Sequence, residues 1–182
     1  MYPPSEDSFL LSKQVKIYLN KIPKSDLKKL LILDIGSGSG IQTKTCIKSG
    51  IPKKNILCTD IDSEVIKHLK SLNLQTIKSN LFSKIKQKFN LIIFNPPYLP
   101  QNKYDIGVDL TGGKLGDETI LKFLKQAKSH IHDSGVILLL TSSLTPETRI
   151  NQLIKKLNYK KTKLSEQKLF FEKLYVWKIS LK

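Results

Sequence analysis

Leu33-Asp34-Ile35-Gly36-Ser37-Gly38-Ser39-Gly40 decides the fold of this chain. The apolar run over residues 30–35 breaks into three alternating glycines, and residues 40–49 continue as an amphipathic stretch. A strand, a tight turn and a helix in that order are the unit from which α/β sheets are wound. Glycine lets the backbone turn sharply and lets a ligand approach main-chain atoms with no Cβ in the way. The helix opening at Gly40 offers free N–H groups to a polar ligand. Gly36, Gly38 and Gly40 give GxGxG. A dinucleotide fingerprint would need glycine at 41, where the chain has Ile41, so the spacing favours S-adenosylmethionine as cofactor.

Around this unit, short apolar runs alternate with longer amphipathic ones, which predicts one α/β domain over 1–182 with a mostly parallel sheet. Residues 5–20 predict a helix, with Ser5 as N-cap and Glu6 and Asp7 in its first turn. Residues 55–60, 74–79, 89–94 and 136–141 predict strands, and 63–71 and 116–131 predict helices. A further helix over 145–157 would be capped near Thr145, with Pro146 at its first position. Residues 159–169 and 172–180 predict a terminal hairpin. Parallel strands closed by an antiparallel hairpin are the layout of the seven-stranded, Rossmann-like class I methyltransferase fold.

Composition narrows the function classes. The 182 residues suit one domain with a full core. No apolar stretch approaches the roughly 18 residues that span a bilayer. The opening Met1–Glu6 lacks the basic and apolar regions of a signal peptide, so a cytoplasmic location is expected. Cys46 and Cys58, with no CxxC, predict neither a disulfide framework nor a metal site made by this chain alone. His68, His130 and His132 read as surface or packing residues. The net charge of +16 invites a nucleic-acid reading, but Arg149 is the only arginine and the lysines are spread along the chain. A well-solvated lysine surface is the favoured reading; it suits an acidic partner, RNA-rich assemblies included.

The second motif, Asn95-Pro96-Pro97-Tyr98, follows the apolar Leu91-Ile92-Ile93-Phe94 about sixty residues after the glycines. Alone it could be a turn after a strand. Downstream of GxGxG it reads as a site for a planar nitrogen. An amide or amino nitrogen is a poor nucleophile because its lone pair is delocalised. Asn95 offers a neutral carbonyl to one N–H, and the Pro96 carbonyl can accept the other. Successive prolines hold that carbonyl in an extended geometry. Tyr98 can pack on the planar group, and orientation alone can supply about 7–11 kcal/mol.

Two more strand ends and one position inside the first strand supply candidates. Asp60, in Cys58-Thr59-Asp60-Ile61-Asp62, can accept both ribose hydroxyls, with Ile61 beside it at the cofactor site; Asp62 is the better helix cap. Asp34 lies in an apolar strand, where a carboxylate needs a partner. The expected partners are the cofactor's amino group or the glycine-loop N–H groups. Asn80 reads either as an acceptor for the adenine amino group or as a turn residue. Residues 99–116, with Gly107, Gly112, Gly113 and Gly116, read as a binding loop that shapes the acceptor pocket.

The chain resembles the HemK/PrmC group of protein glutamine methyltransferases, in its short archaeal and eukaryotic branch without an extra N-terminal helical domain. Tyr2-Pro3-Pro4-Ser5-Glu6-Asp7-Ser8-Phe9-Leu10-Leu11, the Asp34–Gly40 segment, Asn95–Tyr98 and Gly112-Gly113-x-x-Gly116 carry the resemblance. It implies methylation of the glutamine side-chain amide in the Gly-Gly-Gln motif of a class I translation release factor. It also implies that Ser8, Asp34, Gly36, Asp60, Asn80, Leu81 and Asn95 line the cofactor pocket, and that Asn95 and Pro96 hold the glutamine amide. The family usually has aspartate where this chain has Asn80, which predicts weaker cofactor binding. A small zinc-binding activator subunit is a further implication. Strand 74–79 is expected at the sheet edge, where Leu74, Ile77, Leu81 and Phe82 could meet such a partner. Two other readings remain: an adenine methyltransferase on DNA or RNA, and a non-catalytic subunit of a methyltransferase pair.

Overall fold

The computed structural model describes residues 3–98, 113 and 115–182. Most of the expected binding loop over 99–116, with Gly107 and Gly112, and Tyr2 of the opening motif lie outside the described residues. The strands are β1 (Ile32–Ile35), β2 (Ile56–Asp60), β3 (Gln75–Lys78), β4 (Phe89–Phe94), β5 (Ile131–Ser142), β6 (Tyr159–Lys168) and β7 (Lys173–Leu181). The helices are α1 (Glu6–Leu19), α2 (Lys24–Leu27), α3 (Ile41–Lys48), α4 (Ser63–Ser71), α5 (Glu118–His130) and α6 (Glu147–Lys156). One seven-stranded sheet runs in the order β3-β2-β1-β4-β5-β7-β6. All pairs from β3 to β5 are parallel, and β7 is antiparallel to both β5 and β6. This is the seven-stranded class I arrangement that the sequence predicts.

The central strands are apolar on both faces because helices cover both. In β4, Ile92 and Phe94 join the core under α5 and α6, with Phe123, Leu124 and Ile150. Leu91 and Ile93 join the opposite core under α1 and α3, with Leu11, Val15 and Cys46. The same alternation divides Leu33 and Ile35 from Ile32 in β1. Phe123 anchors the first core, its ring 4.6 Å from Phe94 and 5.7 Å from Phe82. Among the described residues no helix is long and apolar enough to cross a membrane.

Several boundaries differ from expectation. β5 starts at Ile131 rather than 136, because Ile131 already pairs with Phe89 before a register shift ahead of Leu91 and Val136. Gly135 makes that irregularity possible: a Cβ there would stand 2.6 Å from Ile131 Cγ1 and 3.0 Å from the Phe89 carbonyl oxygen. α6 starts at Glu147 with Pro146 in the capping position and no side-chain cap. Thr145 instead directs its hydroxyl to the Tyr98 carbonyl at 3.4 Å. Ser5 holds the N-cap position of α1 but donates its hydroxyl to Glu6 rather than capping the helix. β3 is the edge strand, as expected, yet Leu74, Leu81 and Phe82 are buried within the cores. What the edge offers is its backbone, with Lys78 exposed.

Phe123→Ala, which empties a fully buried ring site, should cost about 3–5 kcal/mol. The check is a lower urea midpoint with an unchanged denaturant slope.

Candidate active site

Parallel pairing puts four loops on one edge of the sheet. Ile35 lies beside Thr59 and Phe94, and Asp60 beside Lys78, so the turns after β1, β2, β3 and β4 emerge together. Strand order reverses between β1 and β4, and crevices at such switch points are where α/β folds bind ligands. The glycine turn flanks one side of that crevice and Asn95 the other.

Gly36, Gly38 and Gly40 take φ of +60°, +50° and +73°, a left-handed path that suits glycine. At Gly40 a Cβ would also stand 3.0 Å from Leu69 Cδ2, so α3 and α4 pack closely there. Asp60 Oδ2 accepts from the Gly38 N–H at 3.1 Å, and Oδ1 from the Asp62 N–H at 3.0 Å. The carboxylate is thereby fixed beside the glycine turn with lone pairs left for a ligand. The cap of α4 is Asp62, which accepts from the Glu64 N–H at 2.8 Å. Ile61, next to Asp60, is 46% exposed.

Asp34 finds a partner for its carboxylate within the fold, on α3 rather than in the glycine loop. It is buried, and its Oδ2 accepts from the Thr43 hydroxyl at 2.7 Å and the Thr43 N–H at 3.2 Å. Thr43, in the first turns of α3, supplies the partner that the glycine-loop N–H groups were expected to be. Asp34 therefore pins α3 to β1 beneath the turn. Burial outweighs the two Thr43 bonds and pushes its carboxyl up to about 7. Beyond β3, Asn80 is exposed. Leu81 has φ +51° and a side chain packed into the core, so Asn80 is the side chain this turn presents.

On the acceptor side, Asn95 Nδ2 donates to Asp7 Oδ2 at 2.8 Å. Asp7 Oδ1 accepts from the Ser8 N–H at 2.6 Å. A carboxylate only accepts, so Asp7 fixes which end of the Asn95 amide faces it. The carbonyl end, Oδ1, is buried and has no hydrogen-bond partner among the described residues. Pro96 is buried, while Tyr98 is half-buried and packs on the α1-side core. The first turn of α1 is held there by α3: Gln42 Nε2 donates to the Ser8 carbonyl at 2.9 Å, and the hydroxyls of Ser12 and Thr45 meet at 2.6 Å.

The Asp7 contact with Asn95 is the part of this site that the sequence did not reveal. The place of Asp7 in a first helical turn explained it as a partner of the helix dipole. Nothing in local spacing shows that α1 folds across the end of β4, 88 positions away in sequence. The presence of Asp7 in the opening motif was the one signal available.

A methyltransferase fold with these loops is matched by known proteins. The methyltransferase small domain model matches residues 11–170. A Methanocaldococcus jannaschii protein, named as a candidate protein N5-glutamine methyltransferase, is 32% identical over 97% of this chain and 89% of its own length. Human methyltransferase HEMK2 is 26% identical over 78% of this chain and 71% of its own. In the E. cuniculi Mtq2–Trm112 complex, described as responsible for methylating the termination factor eRF1, one chain superimposes with a TM-score of 0.75 at 21% identity. That match covers 100% of this chain and 98% of the other. The chain belongs to the methyltransferase small-domain family, among the HemK-type protein N5-glutamine methyltransferases.

Asp34 makes stability depend on pH. Its folded value lies above its unfolded one near 4, so its contribution is full below about pH 4 and is lost as pH rises through about 7. Asp34→Asn should flatten the fall in urea midpoint between about pH 4 and 7.5. An unchanged pH profile in the variant would show that Asp34 does not carry it.

Proposed function

We propose that this chain transfers a methyl group from S-adenosylmethionine to the side-chain amide nitrogen of the glutamine in the Gly-Gly-Gln motif of a class I translation release factor. The observation that carries the reading is Asn95 Oδ1, a buried carbonyl that Asp7 turns away from itself and that has no hydrogen-bond partner among the described residues. A buried acceptor without a partner is costly, and a ligand N–H relieves the cost. A glutamine amide presents two such N–H groups on one planar nitrogen.

The residues present fit the cofactor. The left-handed glycine turn uses the N–H groups of Ser37, Gly38 and Gly40 within the fold but leaves space above Gly38, Asp60 has acceptor capacity for ribose hydroxyls, and Ile61 offers an exposed apolar side chain. Ser8, Gly36, Gly38, Gly40, Asn80 and Asn95 complete the proposed cofactor pocket. The turn at Leu81 and the Asp34–Thr43 pair support it from below. S-adenosylmethionine supplies an electrophilic methyl carbon.

Asn95 and the Pro96 carbonyl take the two N–H groups and turn the nitrogen lone pair out of conjugation. The two prolines and the Asp7 contact keep both acceptors fixed, so alignment is built in before the substrate arrives. Methylation acidifies the nitrogen, whose proton then leaves to solvent, so the site needs no strong base.

The similarity to HemK-type relatives supports the glutamine reading, and the Mtq2 complex supports the release factor as substrate. That complex also supports a partner subunit, and the family resemblance implies that it is a small zinc-binding activator. We place its contact on the β3 edge, where strand addition would use the outward backbone of Gln75–Lys78.

The test is peptide mass spectrometry after incubating the protein with S-adenosylmethionine and a class I release factor, with and without the zinc subunit, beside DNA and RNA. One methyl on the Gly-Gly-Gln glutamine is expected. Methyl groups in nucleic acid alone would replace this reading with the adenine one. Asp7→Ala should lower kcat about a hundredfold while cofactor affinity measured by calorimetry stays within about twofold. A wild-type kcat in that variant would remove Asp7 from the site.

A further inference from the structure

The turn between β6 and β7 carries the most exposed apolar side chains among the described residues. Phe170 is 92% exposed and Phe171 86%; the next, Phe9, is 58% exposed. The two rings pack edge to face at 4.6 Å. Polar and glycine residues serve a turn at least as well, so folding gains nothing from two solvated phenylalanines. Paired exposed aromatics mark a binding surface, where such residues supply much of the affinity.

The turn is braced and is tied to the acceptor motif. The Leu169 N–H donates to the Glu172 carbonyl at 2.8 Å and closes it. The Ser142 hydroxyl donates to the Glu172 carboxylate. The Ser143 N–H donates to the Lys173 carbonyl at 2.8 Å, and the Lys173 N–H donates to the Ser143 hydroxyl at 2.9 Å. Two residues beyond Ser143, the Thr145 hydroxyl reaches the Tyr98 carbonyl. Leu169 packs on the same core as Tyr98. Because β7 is antiparallel to β5, with Leu174 beside Ser142, the turn stands on the same sheet edge as Asn95. Lys168 is exposed beside the phenylalanines, while Lys173, also exposed, pairs with Glu166 at 3.4 Å.

We propose that Phe170 and Phe171 form a docking wedge for the protein that bears the acceptor glutamine, seating in an apolar cleft of that protein bordered by acidic side chains. The inference rests on the glutamine reading above. The wedge engages the body of the substrate while Asn95 and Pro96 engage the amide. Uniform binding of this kind acts on KM and leaves kcat alone.

The test compares wild type with Phe170→Ala/Phe171→Ala on two substrates: the full-length release factor and a short peptide containing Gly-Gly-Gln. Both side chains are solvated, so the variant should keep its thermal midpoint. The expected result is at least a tenfold rise in KM for the release factor, with unchanged kcat and an unchanged rate on the peptide. Phe170→Leu/Phe171→Leu should recover most of the affinity. Equal KM values for wild type and the Ala variant overturn the wedge while leaving the glutamine reading intact. Equal KM with a loss of self-association assigns the pair to a second copy of this chain and also overturns it. If wild type methylates neither substrate, the glutamine reading itself falls, and the wedge with it.

Discussion

Parallel pairing of β1 with β4, Ile35 beside Phe94, is the constraint from which the site follows. It puts the turn that can admit a cofactor and the motif that can hold an acceptor on one edge of the sheet, where strand order reverses. The apolar alternation of both strands fixes that register, because a one-residue slip would exchange the faces packed under α1 and α5. Asp34 occupies the one polar position in β1 and spends its carboxylate on Thr43, locking α3 beneath the glycine turn. Site geometry and core packing are thus set by the same few residues.

The second constraint is the way α1 closes over the end of β4. Asn95 could present either end of its amide to the crevice. The Asp7 carboxylate settles the choice by accepting from Nδ2, which leaves Oδ1 as a pure acceptor. Gln42 and Thr45 of α3 hold α1 in place, so the helix that follows the glycine turn also positions the acceptor side. The glycine turn and the Asn95 side of the crevice are mechanically joined through α3.

Much of this was legible in the sequence. The alternation of apolar runs located all seven strands, and GxGxG, Asp60, Asn80 and Asn-Pro-Pro located the four loops that meet. Those signals are local, which is why one chain of residues shows them. The start of β5 was hidden because residues 132–135 look like a turn, and only the pairing of Ile131 with Phe89 reveals a strand there. Thr145 looked like a cap because its side chain suits one; a tertiary bond to Tyr98 claims it instead. The Asp7–Asn95 contact was illegible for the same reason: it joins two elements whose approach depends on helix packing. The phenylalanine pair was visible as residues, while its place beside the acceptor edge came from the antiparallel order of β7.

The acceptor side of the crevice depends on the orientation of one amide, that of Asn95. The most direct test is a crystal structure with S-adenosylhomocysteine and a Gly-Gly-Gln peptide. The glutamine Nε2 should lie about 2.7–3.2 Å from Asn95 Oδ1, with Asn95 Nδ2 still on Asp7. A peptide bound to a flipped Asn95, or seated away from β4, would contradict this arrangement.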